Sequence, residues 1–450
     1  MSRVLAPTPP RSPLRPVPGD AGLPLLGYTA RYMRDPVGLW RERYERYGPV
    51  SWFGGFGSRF VALLGPDANE VVLANRDRAF ANAEGWRYLI GPFFDRGLML
   101  LDFDEHLAHR RIMQQAFTRE RLTGYVEALN PAIADGLRAW RPGAGFRVYP
   151  AAKQLTLDLA TDIFMGGAEG TARSEMDRIN RAFVDCVQAA TAIVRAPVPG
   201  GRWRKGLAGR ERLDRFLRSY LPARRGGDGD DLYSVLCHLT DDDGARFSDD
   251  DVIDHMVFLL MAAHDTSTIT ISTMMSYLGQ HPLWRERCRE ESLALGKEFA
   301  EHSDLDGLEA LDLVMKESLR LVTPVPTMAR ITVKDTEVLG HYVPQGTKAV
   351  VTPIFSHRMP EYWPEPDRFD PGRFAPERRE DKVHRYAWQP FGGGVHKCLG
   401  MHFSAVEVKA VLHQLLLRFD WTVPAGYRAP MNYTSLPYPA DGHPVHLVSR

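Results

Sequence analysis

The sequence predicts a mainly α-helical protein with a smaller β-region. Helical patterns of apolar residues dominate residues 66–320. After residue 327 the segment ARITVKDTEVLGHYVPQGTKAVV alternates β-branched residues with turn signals, which predicts a small meander of strands. Helical spacing returns after residue 400 in SAVEVKAVLHQLLLRF.

The composition is that of an ordinary globular protein. Of the 450 residues 44% are hydrophobic and 25% are charged, so a sizeable core can be buried. Because 56 basic residues balance 56 acidic ones, the chain has no net charge that would attract a polyanion. A nucleic-acid-binding surface is therefore not indicated. The four cysteines are far apart and form no C-x-x-C pair, which argues against a disulfide scaffold and a four-cysteine zinc site.

The first 21 residues are rich in proline and predict an extended, partly mobile arm. They lack the apolar run of a signal peptide or a membrane anchor. The longest apolar stretch, MVFLLMAA at residues 256–263, is far short of the ~20 residues that span a bilayer. We therefore expect no transmembrane helix and a soluble, cytoplasmic protein.

Local signals predict several element boundaries before the central helix. Asp35 and Pro36 suit the start of a helix, and Gly48 suits its end. The runs VSWF and RFVALL that follow predict two short strands. The segments 195–209 and 222–231 are rich in Gly and Pro, which predicts loops, and we expect the first to act as a mobile lid.

The most unusual predicted helix begins at Ser248. Ser248 and Asp251 make a near capping box, and Gly279 and Pro282 mark the exit, so the helix runs for about 30 residues or ~45 Å. Its middle, AAHDTSTITIST, is rich in residues that form helices poorly. These residues indicate either a functional site or a buried helix with a tolerated polar patch.

The segment FGGGVHKCLG places a lone cysteine after three glycines. Glycines allow tight turns and a close approach of the backbone to something flat and bulky, with the thiol of Cys398 at the end. A zinc site with His396 and His402 lacks a fourth ligand nearby. Cys186, Cys237 and Cys288 are predicted to be simple buried cysteines.

This segment resembles the haem-binding signature of the cytochromes P-450, the haem-thiolate monooxygenases. The five fixed positions of that signature are occupied by Phe391, Gly394, His396, Cys398 and Gly400. The resemblance implies haem b as the cofactor and Cys398 as the thiolate ligand of the iron. A thiolate pushes electron density into the iron and favours O–O cleavage.

Two further segments in the expected order are similar to family motifs. KESLRL supplies Glu317 and Arg320, similar to the family's E-x-x-R pair, and FDPGRF supplies Arg373. The resemblance implies that the three form a buried Glu-Arg-Arg network. Because buried ions must be paired, truncation of Glu317 or Arg320 is expected to stop folding or haem incorporation.

The long helix carries a third match at Ala262, Ala263, His264, Asp265 and Thr266. Ala263 stands where the family usually has Gly, and its extra methyl is expected to narrow the space over the iron. The resemblance implies that Asp265 and Thr266 deliver protons to dioxygen at the haem. The carboxylate acts through water and the hydroxyl acts by hydrogen bonding.

The family resemblance also implies contacts to the haem propionates. EHLAHRRIMQQAF supplies His106 and Arg110, PTMARI supplies Arg330, and the Cys398 segment supplies His396. Each is a cation or a hydrogen-bond donor of the kind that carboxylates bind.

The resemblance covers nearly the whole chain and implies the P-450 fold, with residues 1–21 as the arm and residues 22–450 as one catalytic domain. Since no redox module is left over, electrons are expected from a separate ferredoxin and its reductase. The ferredoxin is expected to dock on a basic patch that includes Lys397 and Arg110. By family position the substrate pocket is lined by apolar and aromatic residues: Trp86, Tyr88, Phe93, Phe94, Phe258, Met261, Ala262, Val325, Met328 and Leu436.

Such a lining suits a terpenoid, steroid or fatty substrate, into which one oxygen atom from O2 is inserted. Two alternatives remain open. One is a haem-thiolate binding or sensing protein without turnover, and the other is an isomerase or dehydratase of the same fold. The first has no need of the pair Asp265 and Thr266 and the second usually lacks it, so the pair favours the monooxygenase.

Overall fold

The computed structural model describes residues 4–166, 173–424 and 426–450. The α-helices of this part are α1 (Thr29–Arg34), α2 (Pro36–Tyr47), α3 (Pro66–Ala74), α4 (Ala83–Phe94), α5 (Phe103–Gln114), α6 (Arg119–Arg138), α7 (Val148–Met165), α8 (Arg173–Ala190), α9 (Arg202–Gly226), α10 (Leu232–His238), α11 (Asp249–Gln280), α12 (Pro282–Ala294), α13 (His302–Gly307), α14 (Glu309–Leu321), α15 (Pro353–Ser356) and α16 (Met401–Arg418).

The strands of the described residues are shorter. They are β1 (Arg15–Pro16), β2 (Gly19–Asp20), β3 (Val50–Gly55), β4 (Ser58–Leu63), β5 (Phe80–Ala81), β6 (Gly143–Arg147), β7 (Met328–Thr332), β8 (Thr336–Val338), β9 (His341–Val343), β10 (Lys348–Val351), β11 (Phe419–Thr422), β12 (Met431–Asn432), β13 (Tyr438–Pro439) and β14 (Pro444–Ser449). The predicted class, mainly α with a smaller β-region, is confirmed.

The chain divides into two compact units, and the first comprises residues 1–86, 313–398 and 430–440. It holds a six-stranded sheet in the order β2-β3-β4-β10-β7-β5 and a three-stranded sheet in the order β1-β9-β8. Alternate residues of these strands, such as Trp52, Val61 and Val351, are buried in one apolar cluster. This unit contains the Cys398 segment and the segments with Glu317 and Arg373.

The second unit comprises residues 87–312, 399–429 and 441–450 and is mainly helical. Its longest helix is α11, whose 32 residues correspond to about 48 Å. A three-stranded sheet in the order β11-β14-β6 belongs to this unit. The unit contains the predicted acid and alcohol of the long helix.

Several predicted boundaries are confirmed by the hydrogen bonds that fix them. The carboxylate of Asp35 accepts from the N–H of Gly38 at 2.9 Å, which caps α2. The hydroxyl of Ser248 accepts from the N–H of Asp251 at 3.1 Å, which caps α11. These caps are local, so the sequence was sufficient to place them.

The two predicted Gly/Pro-rich loops are shorter than expected. Helix α9 begins at Arg202 and continues to Gly226, so residues 202–209 and 222–226 are helical. A Cβ on Gly206 would lie 2.3 Å from the Cβ of Ala189, and one on Gly209 would lie 2.4 Å from the carbonyl oxygen of Ala182. These glycines therefore allow α9 to pack closely on α8, and they do not end a helix. The loop that precedes α9 is confined to residues 191–201.

The N-terminal arm is extended, but part of it is paired with strands. Arg15 pairs with His341 in a parallel bridge, Gly19 pairs with Trp52, and Val17 is fully buried. The pairing ties residues 15–20 to the sheets of the first unit. Among the described residues, no helix is long and apolar enough to cross a membrane.

Candidate active site

The Cys398 segment is a constrained loop of the first unit. Gly394 has a φ of +62°, and a Cβ there would lie 1.8 Å from the carbonyl oxygen of Leu73. The N–H of Cys398 donates to the carbonyl oxygen of Phe391 at 2.9 Å. The loop therefore needs glycine where it passes Leu73, and it closes on itself at the cysteine.

Cys398 differs from the other cysteines in exposure, and all four lie within the described residues. Cys398 is exposed, whereas Cys186, Cys237 and Cys288 are fully buried. Burial raises the pKa of the Cys186 and Cys288 thiols to about 12 and that of Cys237 to about 11. The prediction of three simple buried cysteines is confirmed, and Cys398 is the thiol that a ligand can reach.

The structure brings Glu317, Arg320 and Arg373 together in the interior of the first unit. All three have at most 1% of their surface exposed. Arg320 makes a bidentate pair with the Glu317 carboxylate, with N–O distances of 2.6 and 2.8 Å, and Arg373 Nε lies 3.4 Å from the same carboxylate. Arg320 also donates to the carbonyl oxygens of His357 at 2.8 Å and Pro366 at 2.7 Å. The buried charges are thus paired and hydrogen-bonded.

His357 connects this network to the segment that leads into the Cys398 loop, and sequence reasoning missed it. Its ring is fully buried, with Nδ1 2.7 Å from Thr323 Oγ1, and its Nε2 accepts from the N–H of Gln389 at 2.9 Å. Desolvation, followed by the charge of Arg320, lowers the pKa of His357 to about 3. No motif marks this histidine, because its partners lie 34 and 32 residues away.

The other predicted residues of the first unit occupy its strands and loops. Arg330 lies in β7, is 5% exposed, and donates from Nη1 to the carbonyl oxygen of Ala329 at 2.8 Å. His396 is half-buried at the end of the short turn Gly394–His396. The predicted pocket residues of this unit are all half-buried: Trp86, Val325, Met328 and Leu436.

The middle of α11 exposes small residues in an otherwise buried helix. Ala262 is exposed and Ala263 is half-buried, although Leu260 before them and Ser267 after them are buried. Thr266 Oγ1 donates to the carbonyl oxygen of Ala262 at 2.9 Å, which is the usual back-bond of a helical threonine. The predicted acid and alcohol therefore lie beside an open stretch of helix.

Asp265 has a partner that the sequence did not reveal. Lys153 of α7 donates from Nζ to Asp265 Oδ1 at 2.7 Å, across 112 residues of sequence. The Lys153 side chain is 34% exposed and that of Asp265 is 13% exposed. Beside them, His264 Nε2 lies 3.2 Å from the carbonyl oxygen of Lys153, and burial lowers the pKa of His264. The carboxylate is thus held at a partly hydrated edge of the helix.

A second acid of this unit, Glu407 of α16, was also missed. Glu407 is 1% exposed, and Ser267 Oγ donates to its Oε2. Desolvation raises the pKa of Glu407 to about 7. An acid inside the apolar pattern SAVEVKAVLHQLLL was the available signal. Ser267 directly follows Thr266, so the hydrogen bond to Glu407 fixes the turn of α11 that carries the predicted alcohol.

The remaining predicted residues of the second unit lie on α4, α5 and α11. His106 is buried and Arg110 is half-buried, one turn apart on α5. Phe93 and Phe94 are buried and Tyr88 is exposed, all on α4, whereas Phe258 is buried and Met261 half-buried on α11. Gly400 is the residue before α16.

The residues that the resemblance assigns to haem suit that group. The exposed thiol stands on a loop in which Gly393 and Gly394 pack too closely against Tyr386 and Leu73 to carry a side chain. The donors proposed for the propionates include two arginines that are buried or half-buried, Arg330 and Arg110. Ala262, which is exposed, and Ala263, which is half-buried, leave an open apolar stretch of α11 beside Thr266. A thiolate ligand, cationic donors and small apolar residues are what an anionic, flat, apolar macrocycle requires.

Comparison with known proteins gives consistent matches over nearly the whole chain. The family profile Cytochrome P450 matches residues 16–441. Cytochrome P450 136 of Mycobacterium tuberculosis is 47% identical over 449 residues, which cover 99% of this chain and 91% of the relative. Abscisic acid 8'-hydroxylase 2 of Oryza sativa subsp. indica is 30% identical over 449 residues, which cover 95% of this chain and 85% of the relative.

A solved structure extends the match to the fold. Retinoic acid bound cyanobacterial CYP120A1 superposes with a TM-score of 0.85 at 28% identity, and the match covers 97% of this chain and 100% of that chain. The P-450 fold implied by the sequence is thereby confirmed, as are haem as the cofactor and monooxygenase chemistry as the activity. This chain belongs to the cytochrome P450 family of haem monooxygenases, which take electrons from a redox partner and use O2 to oxidise hydrophobic substrates.

Proposed function

We propose that this chain hydroxylates an isoprenoid with Cys398 as the proximal ligand of its haem. The observation that carries this proposal is the exposed thiol on a loop that passes the backbone of Leu73 at Gly394 too closely for a side chain. When bound, the haem activates dioxygen so that one oxygen atom enters the substrate. The chain's own residues hold the cofactor, position the substrate and move protons.

Four donors hold the propionates in this proposal, and the Cys398 loop holds the ring. His106, Arg110, Arg330 and His396 supply N–H groups to the two carboxylates. Phe391, Gly394 and Gly400 shape the loop that presents the thiol. The network of Glu317, Arg320 and Arg373 fixes the first unit so that this loop keeps its conformation. Residues 22–450 together form the catalytic domain.

Asp265 and Thr266 handle the protons that oxygen chemistry consumes. Asp265 lies at a partly exposed edge beside Lys153, so its carboxylate can orient the waters that bring protons from solvent. A water that donates a hydrogen bond to Thr266 Oγ1 then carries the proton onward to dioxygen, because the hydroxyl's own proton is engaged by the carbonyl oxygen of Ala262. A haem-thiolate protein without turnover has no use for this pair, which is why we favour turnover over that alternative.

The substrate class is narrowed by the names of the relatives. One relative is named for abscisic acid and one solved neighbour holds retinoic acid. Both ligands are isoprenoids, and the apolar and aromatic residues that we assign to the pocket suit such a skeleton. Of the terpenoid, steroid and fatty substrates that the sequence leaves open, we therefore propose a terpenoid.

We further propose a ferredoxin and its reductase as the redox partners. The exposed basic residue Lys397 provides charge for an acidic ferredoxin. NADPH and O2 alone are then expected to give no product. Product without a reductase contradicts this part of the proposal. The cytoplasmic location stays a prediction.

The test of the proximal ligand is the spectrum of the reduced carbon monoxide complex. The wild-type holoprotein is expected to absorb at the thiolate-specific position, and Cys398→Ser is expected to lose that band. Cys237→Ala, which removes a buried thiol, is the matched control and is expected to keep it. If Cys398→Ser retains the thiolate-specific band, Cys398 is not the ligand.

Turnover is tested with the same protein and a ferredoxin system. A panel of terpenoids is screened for the Soret shift, and the binders are incubated with ferredoxin, reductase and NADPH. Hydroxylated product is expected from at least one terpenoid. Shifts and products obtained only with fatty acids contradict the terpenoid assignment.

A further inference from the structure

Arg195, in the loop before α9, has an unusual set of neighbours. Its guanidinium carbon lies 4.3 Å from the ring centroid of Tyr88 and 4.3 Å from that of Trp203. Its Nη2 donates to the carbonyl oxygen of Tyr88, and its Nη1 lies 3.5 Å from the carbonyl oxygen of Ala190. Cation–π contacts and carbonyl acceptors thus hold the Arg195 guanidinium at the half-buried base of an exposed loop.

In the part of the chain that the structure describes, no acid neutralises this cation. Among the described residues, no carboxylate lies within the 4 Å of an ion pair from Arg195, although neighbouring arginines such as Arg87 do have such a partner. Residues 186–210 contain five basic residues and no Asp or Glu. The remaining N–H groups of the guanidinium are therefore available to a carboxylate from outside the chain.

The surroundings of Arg195 are apolar and lead inward within the second unit. Trp203 stacks edge-on against Phe93 with a centroid distance of 4.9 Å, and Phe93 is fully buried. Beyond Phe93 on the same segment, a Cβ on Gly97 would lie 2.4 Å from Phe258 Cβ. The segment from Tyr88 to Gly97 thus connects the cation to α11, the helix that carries Asp265 and Thr266.

We infer that Arg195 binds the carboxylate of an amphipathic substrate acid, whose apolar body lies against Tyr88 and Trp203. This inference rests on the proposed terpenoid hydroxylase and narrows its substrate to terpenoid carboxylic acids. The guanidinium is planar and offers paired N–H groups, so it can bind a carboxylate in a bidentate manner. The rings of Tyr88 and Trp203 already orient the guanidinium, so the Arg195 side chain loses little conformational entropy when the acid binds.

A small acid fits these observations better than a lipid surface does. The loop also carries two apolar side chains at the surface, Ile193, which is 98% exposed, and Val194. Exposed apolar side chains beside basic residues would suit a bilayer. Arg195 itself, however, is held at the base of the loop by two rings and two carbonyl groups. A cation that contacts a lipid headgroup extends from the surface, as Arg202 and Arg204 do here.

The experiment compares a terpenoid acid with its methyl ester. All-trans-retinoic acid and its methyl ester are titrated into the holoprotein, and binding is followed by the Soret shift and by quenching of tryptophan fluorescence. Arg195→Gln is expected to raise the Kd of the acid by about 10-fold or more, as loss of a charged hydrogen bond does, and to leave the Kd of the ester unchanged. Arg195→Lys is expected to restore part of the affinity.

Arg202→Gln is the matched control, because it removes an exposed arginine from the same segment. It is expected to change neither Kd. Equal affinities of the acid for wild type and Arg195→Gln overturn the inference and leave the terpenoid assignment intact. If neither compound binds by either readout, both the inference and the terpenoid assignment fail. If Arg195→Gln instead abolishes binding to phosphatidylglycerol vesicles with the acid unaffected, the cation serves a lipid surface and the inference is overturned.

Discussion

His357 is expected to make the stability of the protein depend on pH in the acid range. The Thr323 hydroxyl donates to the carbonyl oxygen of Leu319 at 2.8 Å, so His357 Nδ1 must carry the proton that is shared with Thr323 Oγ1. Nε2 then accepts from the N–H of Gln389 at 2.9 Å. Both ring nitrogens are engaged in the neutral form, and a second proton would break the bond to Gln389.

The magnitude follows from the difference in pKa between the folded and unfolded states. The pKa of His357 is lowered from 6.5 to about 3, chiefly by burial. Its contribution is therefore fully present above pH 6.5 and is lost as the pH falls toward about 3, since the unfolded chain binds the proton first. Two pH units below 6.5, at pH 4.5, the loss amounts to roughly 2.7 kcal/mol.

The variant His357→Gln separates titration from hydrogen bonding. A glutamine amide can accept from Gln389 and donate to Thr323, yet it does not titrate. The free energy of unfolding of the holoprotein is measured by guanidinium denaturation at pH 7.5 and pH 4.5. The difference between the two values is expected to be roughly 2 to 3 kcal/mol smaller in the variant than in wild type.

His446→Gln is the control, since His446 is exposed. It is expected to keep the wild-type pH dependence. His357→Phe leaves the Gln389 N–H buried without an acceptor, which costs about 1 to 3 kcal/mol at neutral pH, and it is expected to reduce the thiolate-specific carbon monoxide band. If wild type and His357→Gln lose stability in parallel between pH 7.5 and pH 4.5, the role argued for His357 is wrong.

Three further predictions concern the buried acid, the alcohol and the ion network. Burial raises the pKa of Glu407 from 4.5 to about 7, so its contribution is present below pH 4.5 and is lost as the pH rises through about 7. Glu407→Gln is expected to abolish that loss, which amounts to roughly 3 kcal/mol in the free energy of unfolding by pH 8.5. If the variant loses as much stability as wild type when the pH rises to 8.5, this prediction is wrong. Thr266→Ala is expected to keep haem content and substrate binding but to lower the product formed per NADPH steeply while hydrogen peroxide rises, because general acid–base groups supply a rate factor of ~10² to 10⁴. If the variant forms product as tightly coupled to NADPH consumption as wild type does, the role of Thr266 is wrong. Arg320→Lys keeps the charge but not the bidentate pair with Glu317, so haem per protein is expected to fall, and full haem occupancy contradicts the structural role.

The sequence alone determined those features whose causes are local. Helix α11 begins after Ser248 because that hydroxyl caps its first turn, and the exit at Gly279 and Pro282 is likewise encoded within a few residues. The Cys398 segment specifies its own turns through its glycines. The family, the fold and the cofactor follow from such short motifs in their order along the chain.

Other features depended on residues far apart in sequence, and only the tertiary structure decided them. Lys153 meets Asp265 across 112 residues, and Ser267 meets Glu407 across 140. Neither partner carries a local signal that names the other, because a lysine or a serine on a helix has many possible neighbours.

The glycines of α9 show the same limit in the fold. In sequence, Gly206 and Gly209 resemble loop glycines, since glycine is as common in turns as at close contacts. In the structure they lie inside a helix, where a side chain would collide with α8. Local propensity states which conformations a residue permits, and packing between distant segments selects among them. The sequence therefore determined the chemistry of the thiol, whereas the tertiary structure determined which charges and which helices meet.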